Sequence, residues 1–288
     1  MSFVLGKQED EFFTSKTGLI YHGDCIDLLS LIKPETIDCI FADPPFNLNK
    51  NYGPLAQDNS SNDEYISWCE KWINECIRVL KPGSAFFLYN IPKWAHKLAM
   101  LIENNHMVFR YWIAISMKNN YPRGNGLYPA HYALLYFTKG EPEVVNKLRI
   151  PIPLCRHCGK EIKDYGGHRH KINEEGLNLS DFWDDLSPVR HHKFKKRSAN
   201  ELNPKIPERA ILLSTKPNDI ILDPFGGGGT TYMIAEKNNR LWVGSEIEDC
   251  LPILKRLEDE TGVIFDQIPD KNIMDIFRDP VLEEKELV

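Results

Sequence analysis

The fold is decided by the stretch Ile37-Asp38-Cys39-Ile40-Phe41-Ala42-Asp43-Pro44-Pro45-Phe46. Residues 39–42 are apolar and β-prone, which predicts a buried strand with Asp43 at its carboxyl end. The two prolines end this strand, because proline has no backbone N–H to donate and its φ is fixed. Ligands of open α/β sheets bind beyond the carboxyl ends of the strands. A carboxylate, a fixed carbonyl and an aromatic ring there suit a flat ligand with an amino group. The alternative is an ordinary Asp-Pro-Pro loop.

Composition indicates a globular protein of ordinary character. The chain has 288 residues, 42% hydrophobic and 26% charged, enough for one large domain or a domain with an insertion. No apolar run approaches the length of a membrane span, and the first residues lack a signal-peptide pattern. The seven cysteines are unevenly spaced and odd in number, unlike a secreted disulfide framework. We therefore expect a soluble, cytoplasmic protein that is not bound to a membrane.

The net charge of −6 is unevenly distributed along the chain. Residues 190–197, Arg-His-His-Lys-Phe-Lys-Lys-Arg, are strongly basic, whereas residues 283–288 are acidic. Local charge matters more than the total for a docking surface, so the basic run is a candidate contact for a polyanion. The alternative is a solvated helix face or loop.

Strands and helices alternate along most of the chain, which is typical of a parallel α/β sheet. Residues 1–18 are predicted to be an irregular lead-in, and the Asn-rich residues 47–63 a long mobile loop. The predicted strands are 19–22, 39–42, 84–89, 108–117, 130–138, 220–222 and 241–245. The predicted helices are 26–32, 64–80, 94–103, 203–213, 230–237 and 250–261.

A second informative stretch is Ile220-Ile221-Leu222-Asp223-Pro224-Phe225-Gly226-Gly227-Gly228-Gly229-Thr230-Thr231. A strand here leads into four glycines and a helix start, so the backbone can approach a ligand closely at a helix N-terminus. The stretch is not a P-loop, because no lysine follows the last glycine, and it is not G-x-G-x-x-G, because Thr231 replaces the third glycine. It favours a nucleoside cofactor without a pyrophosphate, with a structural turn as the alternative. Glu246 ends the next strand, where doubly wound folds hold a ribose.

Asp43-Pro44-Pro45-Phe46 and the 223–231 glycine stretch together resemble the motifs of amino-group DNA methyltransferases that use S-adenosylmethionine. The catalytic motif comes before the cofactor loop, an order similar to that of the permuted β class. The resemblance covers residues 19–140 and 198–262. It implies an α/β, Rossmann-like methyltransferase fold, with a mostly parallel sheet, helices on both faces and a small inserted target-recognition module. The expected segments are a catalytic half (1–140), the inserted module (141–200), a cofactor-binding half (201–270) and an acidic C-terminal tail (271–288).

The resemblance also implies roles for individual residues. Gly23-Asp24-Cys25 matches the motif that contacts the adenine of the cofactor, and Glu246 matches the acid that binds its ribose. The catalytic candidates are Asp43, Pro44, Pro45 and Phe46. The cofactor-binding candidates are Asp24, Cys25, Asp43, Asp223, Phe225, Gly226, Gly228, Thr230, Thr231 and Glu246.

The implied reaction needs help from the protein, because the lone pair of an exocyclic amino group is delocalised into the base. We hypothesise that Asp43 and the Pro44 carbonyl accept its two N–H bonds, which frees the lone pair to attack the sulfonium methyl group in line. The base must be flipped out of the duplex, with Phe46 stacking on it. Cytosine-C5 chemistry is disfavoured, because its thiolate typically follows a proline and no cysteine here does.

An aspartate at the first position of the catalytic motif looks more like the adenine group than the cytosine-N4 group, which commonly has serine. We therefore expect a site-specific adenine-N6 DNA methyltransferase of a restriction-modification system. The alternatives are a cytosine-N4 DNA methyltransferase, a methyltransferase of RNA or a small molecule, and an inactive nucleic-acid-binding scaffold. Double-stranded DNA is the expected partner, while a second copy of the chain and a cognate restriction endonuclease stay open.

The inserted module contains Cys155-Arg156-His157-Cys158-Gly159, which is typical of a zinc knuckle. We expect a structural zinc ion bound by Cys155, Cys158, His168 and His170, since a module of this size has little core of its own. The alternative is a reduced cysteine pair with histidines free to contact phosphate.

The predicted DNA phosphate contacts are Arg190, Lys193, Lys195, Lys196 and Arg197.

Overall fold

The computed structural model describes residues 3–4, 11–51, 53–56, 58–117, 125, 127, 129–155, 157–162, 166–186 and 202–278. Its strands are β1 (Phe3–Val4), β2 (Glu11–Thr14), β3 (Gly18–His22), β4 (Ile37–Ala42), β5 (Leu80–Asn90), β6 (Val108–Ser116), β7 (His131–Thr138), β8 (Arg149–Ile150), β9 (Leu177–Asn178), β10 (Phe182–Trp183), β11 (Ile220–Asp223) and β12 (Leu241–Glu246). Its α-helices are α1 (Cys25–Leu31), α2 (Asn62–Val79), α3 (Pro92–Asn104), α4 (Lys205–Ser214), α5 (Thr230–Lys237), α6 (Leu251–Thr261) and α7 (Lys271–Met274). Among the helices described, none has the length and apolar character needed to cross a membrane.

One large sheet carries the fold, in the order β1-β2-β3-β12-β11-β4-β5-β7-β6-β10. The five central strands from β3 to β5 are all parallel to one another. β7 runs antiparallel between β5 and β6, and β1 and β2 add antiparallel pairing at the opposite edge. The α/β class with a mostly parallel sheet, predicted from the sequence, is therefore confirmed.

Helices cover both faces of this sheet, as predicted. Apolar side chains of α1, α2, α3 and α7, such as Leu28 and Trp72, belong to the core on one face. Side chains of α4, α5 and α6, such as Met233 and Ile253, belong to the core on the other face. Each helix buries one apolar side against the sheet, which is what stabilises short amphipathic helices in proteins.

The helix α2 begins earlier than the sequence pattern indicates. Its N-cap is Ser61, whose side-chain oxygen accepts from the Glu64 N–H while the Glu64 carboxylate accepts from the Ser61 N–H. This reciprocal capping box satisfies two backbone donors that a helix start otherwise leaves unpaired, so it fixes the start in preference to a cap at Asp63.

Two stretches expected to be irregular are parts of the fold. The sequence predicts an irregular lead-in before residue 19, but β2 pairs antiparallel with β3 and buries Phe12. The sequence also predicts an acidic tail from residue 271, whereas Lys271–Met274 form α7, and Ile273 and Phe277 are buried. Both stretches are short and largely polar, so only contact with the finished sheet stabilises them.

The predicted 141–200 module is partly joined to the main sheet. β8 and β9 pair with each other in a separate antiparallel ribbon, whereas β10 pairs parallel with the end of β6. Trp183 is buried in the core of the α4 face, and the guanidinium of Arg209 on α4 lies 5.0 Å from its ring centroid. Trp183 is thus part of the core, whereas its neighbour Phe182 remains exposed.

Strand order decides which residues can meet. β3 and β4 are joined by α1, yet β12 and β11 lie between them in the sheet. The carboxyl ends of the parallel strands β3, β12, β11 and β4 therefore lie side by side, at what we call the carboxyl edge. Because each end carries an acidic residue, sequence positions about 200 residues apart become neighbours.

We expect Gly18→Ala to destabilise the fold. A Cβ at residue 18 would lie 2.0–2.3 Å from the Trp242 ring. Trp242 cannot easily move, because it is fully buried and its Nε1–H donates to the Glu236 carboxylate over 2.8 Å. Urea unfolding should show a loss of about 1–3 kcal/mol in the free energy of unfolding. Lys16→Ala, at an exposed position nearby, is the control; equal effects of the two changes would contradict this packing.

Candidate active site

The catalytic motif sits at the carboxyl edge, as predicted. Asp43 follows β4 directly and is half-buried, and the Pro44 side chain is buried. β4 pairs with β11 on one side and with β5 on the other, so the position of Asp43 is set by the centre of the sheet.

Two side chains hold the backbone of this motif from the helices behind it. The Tyr65 hydroxyl donates to the Pro45 carbonyl, and the Trp94 Nε1–H donates to the Phe46 carbonyl, each over 2.7 Å. Burial raises the pKa of Tyr65, which keeps its proton in place for this bond. No described residue donates to the Pro44 carbonyl oxygen. The motif therefore combines a rigid backbone with one acceptor that the described protein does not use.

The Phe46 ring belongs to a group of three aromatic rings. Its centroid lies 5.9 Å from that of Tyr89 and 6.1 Å from that of Tyr132, and those two tyrosines are 5.2 Å apart. The ring is only 7% exposed, and the Lys50 ammonium lies 5.9 Å from its centroid. Sequence reasoning missed both tyrosines, although the place of Tyr89 near the carboxyl end of the strand beside β4 was a usable signal. Phe46 thus forms one part of an aromatic wall.

The glycine loop joins β11 to α5 within a very tight space. The Gly226 N–H donates to the Ser245 carbonyl over 2.7 Å, and a Cβ at residue 226 would lie 2.8 Å from the Tyr232 hydroxyl. Gly229 has φ +70° and precedes the first turn of α5. Only glycine adopts this left-handed conformation at low cost, and here a Cβ would also meet Ile253 at 2.6 Å. The N–H groups of Gly226, Gly227 and Gly229 are thus already bonded within the protein, so the loop offers a ligand close approach to its backbone rather than a row of unused donors.

Glu246 connects three segments of the site. Its Oε2 accepts from the Gly227 N–H over 2.5 Å, and its Oε1 accepts from the Glu248 N–H over 2.9 Å. Its carbonyl accepts from the Gly23 N–H over 2.9 Å. The carboxylate predicted to bind a ribose is therefore fixed between the glycine loop and the segment after β12, while the Glu246 backbone is held to the segment after β3.

Asp223 is a buried acid with a strongly raised pKa. Its pKa is raised to about 8, chiefly by burial and also by the charges of Asp43 and Glu246, against hydrogen bonds from Thr231 and the Phe225 N–H that lower it. The Phe225 N–H to Asp223 Oδ1 distance is 2.9 Å. Both Asp43 and Glu246 therefore lie near enough to Asp223 for their charges to act on it. The structure thus brings together the acids that the sequence places at three strand ends.

The remaining cofactor candidates have structural partners as well. Asp24 is the N-cap of α1, and its side chain accepts from the Ile26 N–H over 2.8 Å. The Cys25 thiol is buried in the core, where desolvation raises its pKa, so its backbone is the part available to a ligand. Phe225 packs against Trp68 and Trp72, with centroid distances of 5.7 and 5.1 Å. Thr230 and Thr231 are both buried at the start of α5.

The structure does not support the predicted zinc site. Cys155 and residues 157–160 lie in a knuckle-like turn, in which the Gly159 N–H donates to the Cys155 carbonyl and backbone N–H groups of Cys158 and His157 lower the Cys155 pKa. His168 and His170 are two residues apart at a 3-10 turn, and their ring centroids are 6.4 Å apart. Side chains at that spacing do not share one face of a helical turn. In the described residues, no group of three His, Cys, Asp or Glu side chains is placed to hold a metal ion.

The basic run lies outside the described residues. Arg190, Lys193, Lys195, Lys196 and Arg197 all fall between Leu186 and Leu202, the described residues on either side. Their assignment as DNA contacts stays a prediction.

Asp223→Asn should change how stability depends on pH. The folded-state pKa of Asp223, about 8, exceeds the unfolded value of about 4, so the stability that protonated Asp223 contributes is lost as pH rises from about 4 to about 8. Asparagine stays neutral, so the variant should gain about 2–5 kcal/mol relative to the wild type across this window. Urea unfolding at several pH values measures the difference, and a difference that stays constant from pH 4 to 9 would contradict the buried, protonated carboxyl.

Comparisons with known proteins agree with this geometry. The family N6_N4_Mtase, described as DNA methylase, matches residues 37–256. The type II methyltransferase M.BamHI of Bacillus amyloliquefaciens is 48% identical over 250 residues, which are 86% of this chain and 59% of that protein. The chain thus spans a little over half the length of this relative.

Two solved structures share the fold. The PvuII DNA methyltransferase, described as cytosine-N4-specific, matches with a TM-score of 0.63 at 18% identity, over 93% of this chain and 94% of that one. A complex of M1.HpyAVI with SAM matches with a TM-score of 0.52 at 21% identity, over 82% and 98% of the two chains. Identities this low show the fold alone. The family match, which includes both the catalytic motif and the glycine loop, shows that the chain belongs to the N6_N4_Mtase family of DNA methylases.

Proposed function

We propose that this protein transfers the methyl group of S-adenosylmethionine to the exocyclic amino nitrogen of a base in duplex DNA, with adenine N6 as the first candidate. The observation that carries the proposal is the meeting of Asp43, Asp223 and Glu246 beside a glycine loop at adjacent strand ends. One half of this arrangement suits an amino group, and the other half suits a nucleoside cofactor.

The cofactor half fits S-adenosylmethionine by its chemistry. The Glu246 carboxylate would hold the ribose hydroxyls, and the glycine loop has no lysine and no built phosphate cradle. The carboxylate of Glu246 and the half-buried carboxyl group of Asp43 favour a ligand that carries positive charge. When bound, S-adenosylmethionine supplies an electrophilic methyl group on a cationic sulfur. A solved relative in fold, M1.HpyAVI, is described as a SAM complex.

The catalytic half fits an exocyclic amino group. The Asp43 carboxylate and the Pro44 carbonyl oxygen are acceptors, and Tyr65 and Trp94 fix the backbone that presents them. Two acceptors on one NH₂ group draw electron density toward nitrogen and orient its lone pair. Because both acceptor atoms are held rigidly, they need no reorganisation during the reaction.

A base inside a duplex cannot reach this site, so we include base flipping in the proposal. The aromatic wall of Phe46, Tyr89 and Tyr132 supports it, because stacking on aromatic rings offsets part of the lost base stacking. The wall also modifies the role expected of Phe46, since a ring that is 7% exposed can present only an edge or a small part of one face.

The basic run remains our proposed contact with DNA phosphates. Support comes from the described residues on either side of it. β10 is parallel to β6 and ends at the carboxyl edge, and α4 runs back from this edge because it is followed by the parallel strand β11. The chain thus leaves and re-enters the described structure on the side of Asp43, where DNA must approach.

The Asp43 carboxylate and the Pro44 carbonyl oxygen can accept hydrogen bonds from cytosine N4 as well as from adenine N6, because both are NH₂ groups conjugated with a ring. Cytosine N4 is therefore the second candidate.

We further propose a role in a restriction-modification system, since the relative M.BamHI is named as a type II methyltransferase. A cognate endonuclease, a second copy of the chain and a cytoplasmic location belong to this proposal.

The reaction is tested by incubating the purified protein with isotope-labelled S-adenosylmethionine and mixed-sequence duplex DNA. The DNA is then digested, and the methylated nucleoside is identified by mass spectrometry. We expect N6-methyladenine. N4-methylcytosine would keep the proposed chemistry and replace the base, whereas the absence of any methylated nucleoside would contradict the proposal.

Asp43→Ala should abolish methyl transfer with little effect on the cofactor. Loss of one acceptor of the amino group removes stabilisation that is needed in the transition state, so we expect kcat to fall about 10³-fold or more. The Kd for S-adenosylmethionine, measured by calorimetry, should stay within about threefold, because the larger part of that site lies on the glycine loop and Glu246. The exposed Asp63→Ala on α2 is the control. Turnover that survives in Asp43→Ala would show that the role assigned to Asp43 is wrong.

A further inference from the structure

A segment of residues 47–61 lies between the catalytic motif and α2. Hydrogen bonds join its first described residues to Asp58 near its other end. The Asp58 carboxylate accepts from the Leu48 N–H over 3.1 Å and from the Lys50 N–H over 2.8 Å. Asp58 is 5% exposed, so these bonds lie inside the protein. The sequence predicts a mobile loop here, but the described part of the segment has a defined internal structure.

The far end of the same segment is bound by a different carboxylate. The N–H groups of Leu55 and Ala56 both donate to Glu248 Oε1, each over 2.7 Å. Gly53 approaches the same group so closely that a Cβ there would lie 2.1–2.4 Å from the carboxylate atoms. Its φ of +148° adds a conformation that other residues rarely adopt. The backbone of residues 53–56 therefore packs closely against the side chain of Glu248 and donates two hydrogen bonds to it.

Strand order shows what this segment passes over. It starts after β4, and Glu248 follows β12, while β11 lies between these two strands in the sheet. A chain that runs from the end of β4 to the end of β12 must cross the carboxyl end of β11. The glycine loop begins at that point. Residues 53–56 therefore reach across the front of the cofactor half of the site.

Glu248 also contacts the ribose-binding candidate. Its backbone N–H donates to Glu246 Oε1 over 2.9 Å, while its own side chain binds residues 53–56. One residue thus links the acid at the end of β12 with the segment that follows the catalytic motif.

We propose that Glu248 is a positioning residue that holds residues 53–56 closed over bound S-adenosylmethionine. The inference rests on the proposed function, because it takes that cofactor to be the occupant of the site. The contact must open for the cofactor to enter or leave, so closing of the segment and cofactor binding stabilise each other. Such coupling is reciprocal and commonly amounts to a 5–150-fold effect on affinity.

The test measures cofactor affinity and amide exchange in the full-length protein. Glu248→Ala should raise the Kd for S-adenosylmethionine about tenfold and speed hydrogen exchange at Leu55 and Ala56. Glu248→Gln, which keeps a neutral acceptor oxygen, should give smaller changes in both. Glu258→Ala, at an exposed position on α6, is the matched control and should change neither.

Gly53→Ala provides a second variant that leaves Glu248 in place. The added Cβ would collide with the carboxylate, so this variant should reproduce the weaker cofactor binding and the faster exchange. Thermal unfolding of each variant confirms that the fold is kept. Wild-type affinity for S-adenosylmethionine in both Glu248→Ala and Gly53→Ala would overturn the inference, whatever the exchange rates.

These outcomes separate this inference from the proposed function. A wild-type protein that binds no S-adenosylmethionine and methylates no DNA would remove both, even if exchange at residues 53–56 still depends on Glu248. A wild-type protein that binds the cofactor and methylates DNA, with variants that bind it equally well, would remove only the role of Glu248.

Discussion

The parallel insertion of β12 and β11 between β3 and β4 is the constraint on which the rest of this structure depends. Parallel strands end on the same side, so a sheet in this order must gather the residues that follow these strands at one edge. Because β3 and β4 come early in the chain and β11 and β12 late, neither half of the sequence can build the site alone. Pairing of β4 with β11 is thus a condition for folding and for the site together.

Bringing three acidic residues to one edge has an electrostatic cost, and the structure shows how it is offset. Backbone N–H groups of Gly227, Phe225 and Glu248 bind the carboxyl groups of Glu246 and Asp223, and burial keeps Asp223 protonated over much of the ordinary pH range. The carboxyl edge of the sheet therefore keeps an excess of negative charge. A ligand with a cationic centre complements it, which is consistent with the cofactor that we propose.

Side chains of two helices support the site on one side, and the segment after the catalytic motif covers it on the other. Tyr65 and Trp94, from two helices on one face of the sheet, fix the carbonyls of the catalytic motif. In front, the segment that begins at this motif is bound by Glu248 after β12. The catalytic half and the cofactor half are therefore joined through the sheet and through a loop. Rigid support of this kind suits a reaction in which two bound groups must be aligned.

The sequence by itself determined the strand ends, the glycine loop and the family resemblance. Local signals decide these features: apolar β-prone runs, prolines that end a strand, and glycines that permit close approach. It could not determine the roles of Tyr65, Trp94, Tyr89 and Glu248, because their partners are distant in the sequence and have no fixed spacing from them. The predicted zinc site failed for the same reason, since ligand spacing alone does not bring His168 and His170 to a cysteine pair. Tertiary structure decided these points, because hydrogen bonds, ring contacts and shared pKa shifts depend on distances in space, which strand order sets.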